Sequence, residues 1–431
     1  MNLFFFLIVL MAFSTAAWRE LTHTALPDTQ TPMELLSSGM IAAAGGAVTL
    51  ALGLVGVMTL FLGLMKVAEA GGLLTVIARL IRPLMVRLFP DVPPDHPAMG
   101  AMILNMSANA LGLGNAATPF GIRAMQELDK LNTHPGTASN AMAMFLAINT
   151  AGVTLLPTGV IALRASAGSN DPAGILPTTL FATCCATIAS IFFVWFYQRF
   201  YPLPKEVSAE AQTMERPWVT EKTADVDLQD QSAYPVWVSI LALLGVVAVI
   251  PLTIVWGSAI SAWIVPVIMV SFLVFGWLRG VRIYEVFVEG AKDGFQVALR
   301  IIPYLVAILV AAGMFRASGA MDMLVNTVGG LTSRFGLPAE ALPMALLRPL
   351  SGSGAYGVMS AIINDPAIGP DSYIGYLVTT LQGSTETTFY VLAVYFGAVQ
   401  IRRLRHTLIA ALSADVVAIM AAIAICSYLY A

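Results

Sequence analysis

Apolar runs long enough to cross a bilayer recur from end to end of this chain, and nothing else in it constrains the fold as strongly. The runs at 40–65, 139–163, 175–197, 236–255, 259–278, 373–399 and 407–430 carry only two ionisable acids between them, Glu386 and Asp415. A crossing takes about 20 residues at about 1.5 Å each. In lipid every backbone polar group must be satisfied within the segment, so such runs are read as helices. The chain is 58% apolar and 11% charged, against about 25% charged in a soluble domain. The expected fold class is therefore an all-α polytopic membrane protein. Residues 2–17 lack the positive n-region of a cleaved signal and read as an uncleaved first helix. With residues 284–315 as a further crossing, the expectation is about nine spans.

Several function classes find no support. There is no Walker loop, H-E-x-x-H, G-x-S-x-G or dinucleotide fingerprint, so neither an ATP-driven pump nor a hydrolase is indicated, and the protein is read as no enzyme. Cys184 and Cys185 are adjacent and Cys426 stands alone, which is not metal-ligand spacing. The expectation is no metal and no cofactor, with H⁺ or Na⁺ as candidate coupling ions. The net charge of −3 says little, because the charges are distributed by side, and no nucleic acid is expected as a partner.

Breaks organise the chain. Residues 73–89 carry Arg79, Arg82 and Arg87 among aliphatics, the pattern of an interfacial helix. Short apolar pieces at 98–111 and 116–128 meet around Gly112-Leu113-Gly114-Asn115, and read as a re-entrant hairpin. Residues 201–233 are polar and charged and read as a cytoplasmic linker. Beyond it the pattern returns: 236–255 and 259–278 form a tight pair, 284–315 is amphipathic and then apolar, and 321–335 and 342–363 repeat the interfacial helix and broken hairpin. The order of elements over 34–200 matches that over 285–431, an internal repeat. The domains are read as a first membrane half at 1–200, the linker at 201–233 and a second membrane half at 234–431. With the N-terminus in the cytoplasm, most of the 22 lysines and arginines fall inside, as the positive-inside rule requires. Each repeat then makes an odd number of crossings, so the second is inverted relative to the first. Inverted repeats with broken helices at mid-membrane characterise secondary transporters.

The segments Leu64-Met65-Lys66-Val67-Ala68, Asn109-Ala110-Leu111-Gly112-Leu113-Gly114-Asn115 and Ile148-Asn149-Thr150 closely resemble spore maturation protein A. Arg348-Pro349-Leu350-Ser351-Gly352-Ser353-Gly354 and Gln382-Gly383-Ser384-Thr385-Glu386-Thr387-Thr388 resemble spore maturation protein B. The chain looks like a fusion of the two. That group carries the nucleoside recognition, or Gate, domain, which is related to segments of concentrative nucleoside transporters and of ferrous iron transporter B. The resemblance implies a transporter-type membrane protein and supplies no solute. Iron transporters of the group place Cys in these segments, whereas this chain has Asn, Ser and Thr there, which argues against iron.

The candidate substrate site gathers the polar residues of the breaks: Asn105, Asn109, Asn115, Thr118, Asn149, Thr150, Arg348, Ser351, Ser353, Gln382, Ser384, Thr385, Glu386, Thr387 and Thr388. Intramembrane ionisable groups are costly and face cavities or partners. Glu386 reads as a relay or solute ligand, or as a structural partner of Arg348. Arg348 reads as an anion ligand or as the neutraliser of Glu386. The asparagines can bind solute amides or cap helices. Ser351–Ser353 can present backbone N–H groups or form a packing turn. Asp415 is equally a site residue or a structural one. The resulting expectation is an inner-membrane secondary transporter of a small polar solute, nucleoside-like or related to the cell envelope. Its partners are the lipid bilayer and the solute, with homo-oligomerisation left open. The alternative is a non-transporting scaffold or receptor for cell-envelope enzymes.

Overall fold

A computed structural model describes residues 2–22, 30–112, 117–203, 234–323, 327 and 332–430. These residues are helices and their connections, with one isolated bridge between Thr137 and Arg403. The first half holds α1 (Asn2–Thr22), α2 (Pro32–Ala70), α3 (Leu73–Leu88), α4 (Pro97–Ala110), α5 (Thr118–Lys130), α6 (Asn140–Ala151), α7 (Thr158–Ser166) and α8 (Leu176–Tyr197). The second holds α9 (Val236–Leu278), α10 (Ile283–Ala317), α11 (Leu342–Leu347), α12 (Gly352–Ile363), α13 (Tyr373–Ser384), α14 (Thr388–Ala398) and α15 (Thr407–Tyr430). The polar stretch over 204–233 and most of the expected helix at 321–335 lie outside the described residues, as do Leu113, Gly114, Asn115 and Ala116.

Local sequence explains where the helices start. Thr31 caps α2, its hydroxyl accepting from Glu34 N while Glu34 reaches back to the Thr31 N–H, and Pro32 occupies the first turn. Ser139, Ser351 and Ser372 cap α6, α12 and α13 through hydroxyls that accept from the N–H three residues on. Gly71 and Gly72 end α2, Gly72 at φ 85°, and the chain bends by 69° into α3. Only one face of α3 is buried, through Leu74, Ala78 and Met85.

Two expected spans are broken. Residues 139–163 form α6 and α7, separated at 152–157, and residues 373–399 form α13 and α14, separated at 385–387. Gly152 and Pro157 stop the first run, and extended Thr385 and Thr387 stop the second. Among the described residues, α1, α8 and α15 are each long and apolar enough to cross a membrane, making three spans, or up to four with the bent α2–α3 pair. Residues Val236–Leu278 are helical throughout, where the sequence suggests a pair of spans. A straight helix of that length would separate its ends by about 64 Å. Instead Tyr234 N–H lies 3.4 Å from Arg79 O, and Gly276 packs against Val67 across the α2–α3 corner. The segment therefore doubles back.

Long helices α2 and α10 pack side by side and antiparallel. Gly39 faces Ala317 at one end, while Gly63 faces Phe287 at the other. A Cβ at Gly290 would fall 2.6 Å from Leu62 O, so the backbones approach closely because glycine is there. Helices α8 and α15 also run antiparallel, with Tyr197 Oη 3.4 Å from Ser413 Oγ at one end and Tyr430 Oη donating to Gly174 O at the other (2.9 Å).

The halves interlock. One core joins α3, α4, α5 and α6 to Val391, Leu392, Tyr395 and Phe396 of α14. Another joins α12, α13 and α15 to Val160, Ile161 and Leu163 of α7. Each half thus lends its second broken piece to the other half's core. Cutting the chain between residues 201 and 233 should give fragments that extract from membranes as folded protein only when co-expressed. Co-purification of the tagged pair, and proteolysis of either fragment made alone, checks this.

Candidate functional site

The two broken helices cross at their breaks. Glu386 N–H donates to Thr150 O at 2.7 Å, tying the second-half break to the end of α6. Each break also takes a backbone bond from within its own half: Leu155 N–H donates to Ala110 O at 2.9 Å, and Phe389 N–H donates to Pro349 O at 3.1 Å. Around this crossing the apolar lining gives way to amides, hydroxyls and charges. A Cβ at Gly383 would lie 2.8 Å from Thr179 Cγ2 and 3.4 Å from Pro157 Cβ, so only a glycine lets α13 approach α8 and the other break this closely.

Arg348 enters from the α11–α12 break and is buried. Its Nε donates to Gln382 O at 3.1 Å, its Nη1 to Thr387 Oγ1 at 2.9 Å, and its Nη2 lies 3.9 Å from Glu386 Oε2. The guanidinium thus faces the carboxyl end of α13, where the helix dipole is negative. The Glu386 side chain is 48% exposed, so it presents its carboxylate to open space beside a fixed cation. At the amino end of α14, Thr388 Oγ1 donates to Asp415 Oδ2 of α15 at 2.7 Å.

The first-half break is neutral. Asn109 Nδ2 donates to Asn149 Oδ1 at 2.8 Å, and Asn149 Nδ2 to Phe145 O at 2.9 Å. Buried Asn105 donates to Ala117 O at 2.8 Å and to Tyr395 Oη at 3.1 Å, while its Oδ1 has no partner among the described residues. Gln382 Oε1 is likewise buried without a partner. Tyr395 reaches across the halves because Gly121 leaves it room; a Cβ there would fall 2.2 Å from the hydroxyl.

The remaining sequence candidates divide. Thr385 sits within the crossing, and Ser351 caps α12. Thr150 and Ser384 hydroxyls turn back to their own helices, bonding Ala147 O and Leu381 O. Thr118 opens α5 and Ser353 lies in the first turn of α12. Asn115 lies outside the described residues. Sequence reasoning did not reach Tyr395, whose only signal was its place in an apolar run.

Beyond the crossing, two arginines join the halves. Buried Arg164, near the end of α7, donates to Pro370 O at 2.6 Å, to Thr379 Oγ1 at 3.3 Å and to Asp371 Oδ1 at 2.9 Å, and lies over the Tyr376 ring. Arg405, beyond α14, donates to Ala138 O at 2.9 Å, to Asn140 Oδ1 at 3.0 Å and to Tyr201 O. Beside it His406 is buried, and neither ring nitrogen has a partner among the described residues. Burial first, then the Arg405 charge, hold this imidazole down at about 4. A cavity of about 640 Å³ lies away from the crossing, between α2 and α10 on one side and Ser166, Ser360 and Asn364 on the other.

Comparison with known proteins agrees with this architecture. The family model described as Gate, nucleoside recognition, matches residues 51–167 and 298–402, the two segments that contain the breaks. Spore maturation protein B of Bacillus subtilis (strain 168) is 44% identical over 171 residues, 40% of this chain and 95% of its own length. Spore maturation protein A of the same organism is 48% identical over 154 residues, 36% of this chain and 79% of its own. Each covers part of the chain, consistent with a fusion. No solved structure matches the chain.

Two stability outcomes follow from the geometry. Arg348→Ala should cost about 1–3 kcal/mol because it leaves Gln382 O and Thr387 Oγ1 without their donor, whereas Glu386→Gln, at a half-exposed side chain, should leave the melting temperature nearly unchanged; thermal melts in detergent compare them. The second outcome is a pH dependence. The unfolded His406 titrates near 6.5 and the folded one at about 4, so between these values the unfolded state binds more protons and stability falls as pH drops. Removing the imidazole in His406→Leu should flatten that part of the wild-type stability–pH curve.

Proposed function

Because the chain belongs to the nucleoside recognition Gate family, we propose that this multi-pass membrane protein is a secondary transporter of the inner membrane. It moves a small polar solute, nucleoside-like in size and hydrogen-bonding character, through a midplane site between two inverted repeats. The observation that carries the reading is the crossing itself: two broken helices, one from each half, meet through the bond from Glu386 N–H to Thr150 O, with Arg348 and half-exposed Glu386 beside it. Unwound backbone of this kind is tolerated at membrane depth only where protein buries it or where it lines a cavity. Discontinuous helices at a repeat interface are where transporters place solute and coupling ion. The matching order α2, α4–α8 and α10–α15, and the antiparallel contact of α2 with α10, support the inverted arrangement.

Within this reading the α4–α5 and α11–α12 pieces act as re-entrant hairpins, and about nine crossings complete the fold. Glu386 is the ligand that meets the solute or the coupling H⁺ or Na⁺. Arg348 holds the Glu386 carboxylate and the end of α13 in place. Asn109 and Asn149 offer amides from the neutral break. The halves meet at the 201–233 linker, which lies in the cytoplasm. Purified protein in liposomes, offered a panel of radiolabelled nucleosides, should accumulate at least one above protein-free vesicles. Glu386→Gln should abolish that uptake while retaining the elution profile and melting temperature of the wild type. No uptake across the panel, with Glu386→Gln indistinguishable in cells, would instead support a non-transporting scaffold.

A further inference from the structure

We propose that the Arg164 and Arg405 networks are two latches, one at each membrane face, that open alternately to expose the crossing to one side at a time. This rests on the transport reading above and adds to it the parts that control access.

The two networks lie at opposite faces. Helices α8 and α15 run the full distance between them: Tyr430 meets Gly174 at the Arg164 end, and Arg405 meets Tyr201 at the other. At 22 and 24 residues these helices separate the ends by about 33–36 Å, the thickness of a bilayer core. The broken helices sort in the same way. Pieces α7 and α13 pack together on the Arg164 side of the crossing, and α6 and α14 on the Arg405 side.

Each network joins the second piece of one half to the entrance of the first piece of the other. At one face Arg164 of α7 holds Pro370 O and Asp371, the residues that lead into α13. Asp371 also accepts from Ser169 Oγ at 2.5 Å and from Asn170 N at 2.8 Å. At the other face Arg405, after α14, holds Ala138 O and Asn140 Oδ1, the residues that lead into α6. There Arg402 and Arg403 N–H both donate to Gly136 O, and Ala138 N–H to Arg403 O. The two arrangements correspond by position in the halves, and each closes the path from its own face to the breaks. Both are made here, one at each end of the crossing. A solute can pass only if each latch releases in turn.

The latches differ in chemistry. The Arg164 latch is an ion pair on a stacked tyrosine pair, Tyr376 on Tyr430. The Arg405 latch rests on neutral backbone and amide oxygens and on a left-handed residue, Arg405 at φ 51°. Only the Arg164 face adjoins the 640 Å³ cavity, which reaches Ser166 at the tip of α7 and gives that piece room to move.

The test needs no solute. Thr154, in the first break, is replaced by Cys in a chain whose Cys184, Cys185 and Cys426 are Ser, and the rate of modification by a membrane-impermeant thiol reagent is measured in right-side-out and in inverted vesicles. Asp371→Ala should raise the rate about tenfold from one side only, and Arg405→Lys should raise it from the other side only. Should either variant fail to fold, the oxidised Ser169→Cys/Asp371→Cys pair serves: the crosslink should abolish modification from the Arg164 face, spare the other, and be reversed by reductant. Equal rates in all variants, changes on the same side for both latches, or an oxidised pair that labels like the uncrosslinked chain would overturn the proposal. One-sided labelling without uptake of any nucleoside leaves the latches standing and removes the solute assignment. Uptake with unresponsive labelling does the reverse.

Discussion

Every interruption of a helix in lipid exposes N–H and C=O groups that water cannot reach, and the fold depends on how these are satisfied. The breaks in this protein satisfy one another. Leu155 N–H goes to Ala110 O, Phe389 N–H to Pro349 O, and Glu386 N–H to Thr150 O. The end of α13 receives a side chain instead, through Arg348 Nε and Gln382 O. Each such group buried without a partner would cost several kcal/mol. The four breaks are therefore linked in a chain of backbone bonds, each satisfying a group of the next. The crossing is consequently a polar centre by construction, before any solute is considered.

The charges follow from the same constraint. A buried guanidinium is tolerated where its donors find partners; both terminal nitrogens of Arg164 do so, while its Nε has none among the described residues. Arg164 finds a carboxylate, a backbone carbonyl and a ring face. Arg348 finds a helix carboxyl end, a hydroxyl and a more distant carboxylate. The difference lies in the acid. Asp371 is consumed by Arg164, Ser169 and the Asn170 N–H, whereas Glu386 stands 3.9 Å off and half exposed. Asp371 thus reads as structure and Glu386 as a group with capacity to spare.

Helical class and the location of the polar breaks were legible because they depend on local chemistry: Gly and Pro within a run, a carboxylate among aliphatics. The breaks inside 139–163 and 373–399 were half legible. Their polar residues were visible, but hydropathy alone could not tell a polar span from two half-helices, since a continuous apolar average hides the turn at Gly152 and Pro157. The interlocking was not legible at all. Asn105 with Tyr395, Arg164 with Pro370 and Gly121 beneath Tyr395 are pairings across the halves. No periodicity within one element encodes its partner in another. Gly121 and Gly159 are each silent in sequence, and each proves to be the space that a tyrosine from the other half fills.

The doubled-back course of α9 then has a topological reason. Helix α8 delivers the chain to the Arg405 face, where Tyr201 meets Arg405. Helix α10 must begin near the far end of α2, since Gly63 faces Phe287 and Gly290 faces Leu62. The α2–α3 corner lies at that end, and it receives both Tyr234 and Gly276. A single straight passage through α9 would carry the chain to the opposite face and force α10 to run parallel to α2. A return passage brings it back to where it started, so α10 runs antiparallel. The close glycine contacts of the α2–α10 pair, and with them the exchange of α7 and α14 between the two cores, are therefore conditional on a connector with an even number of passages.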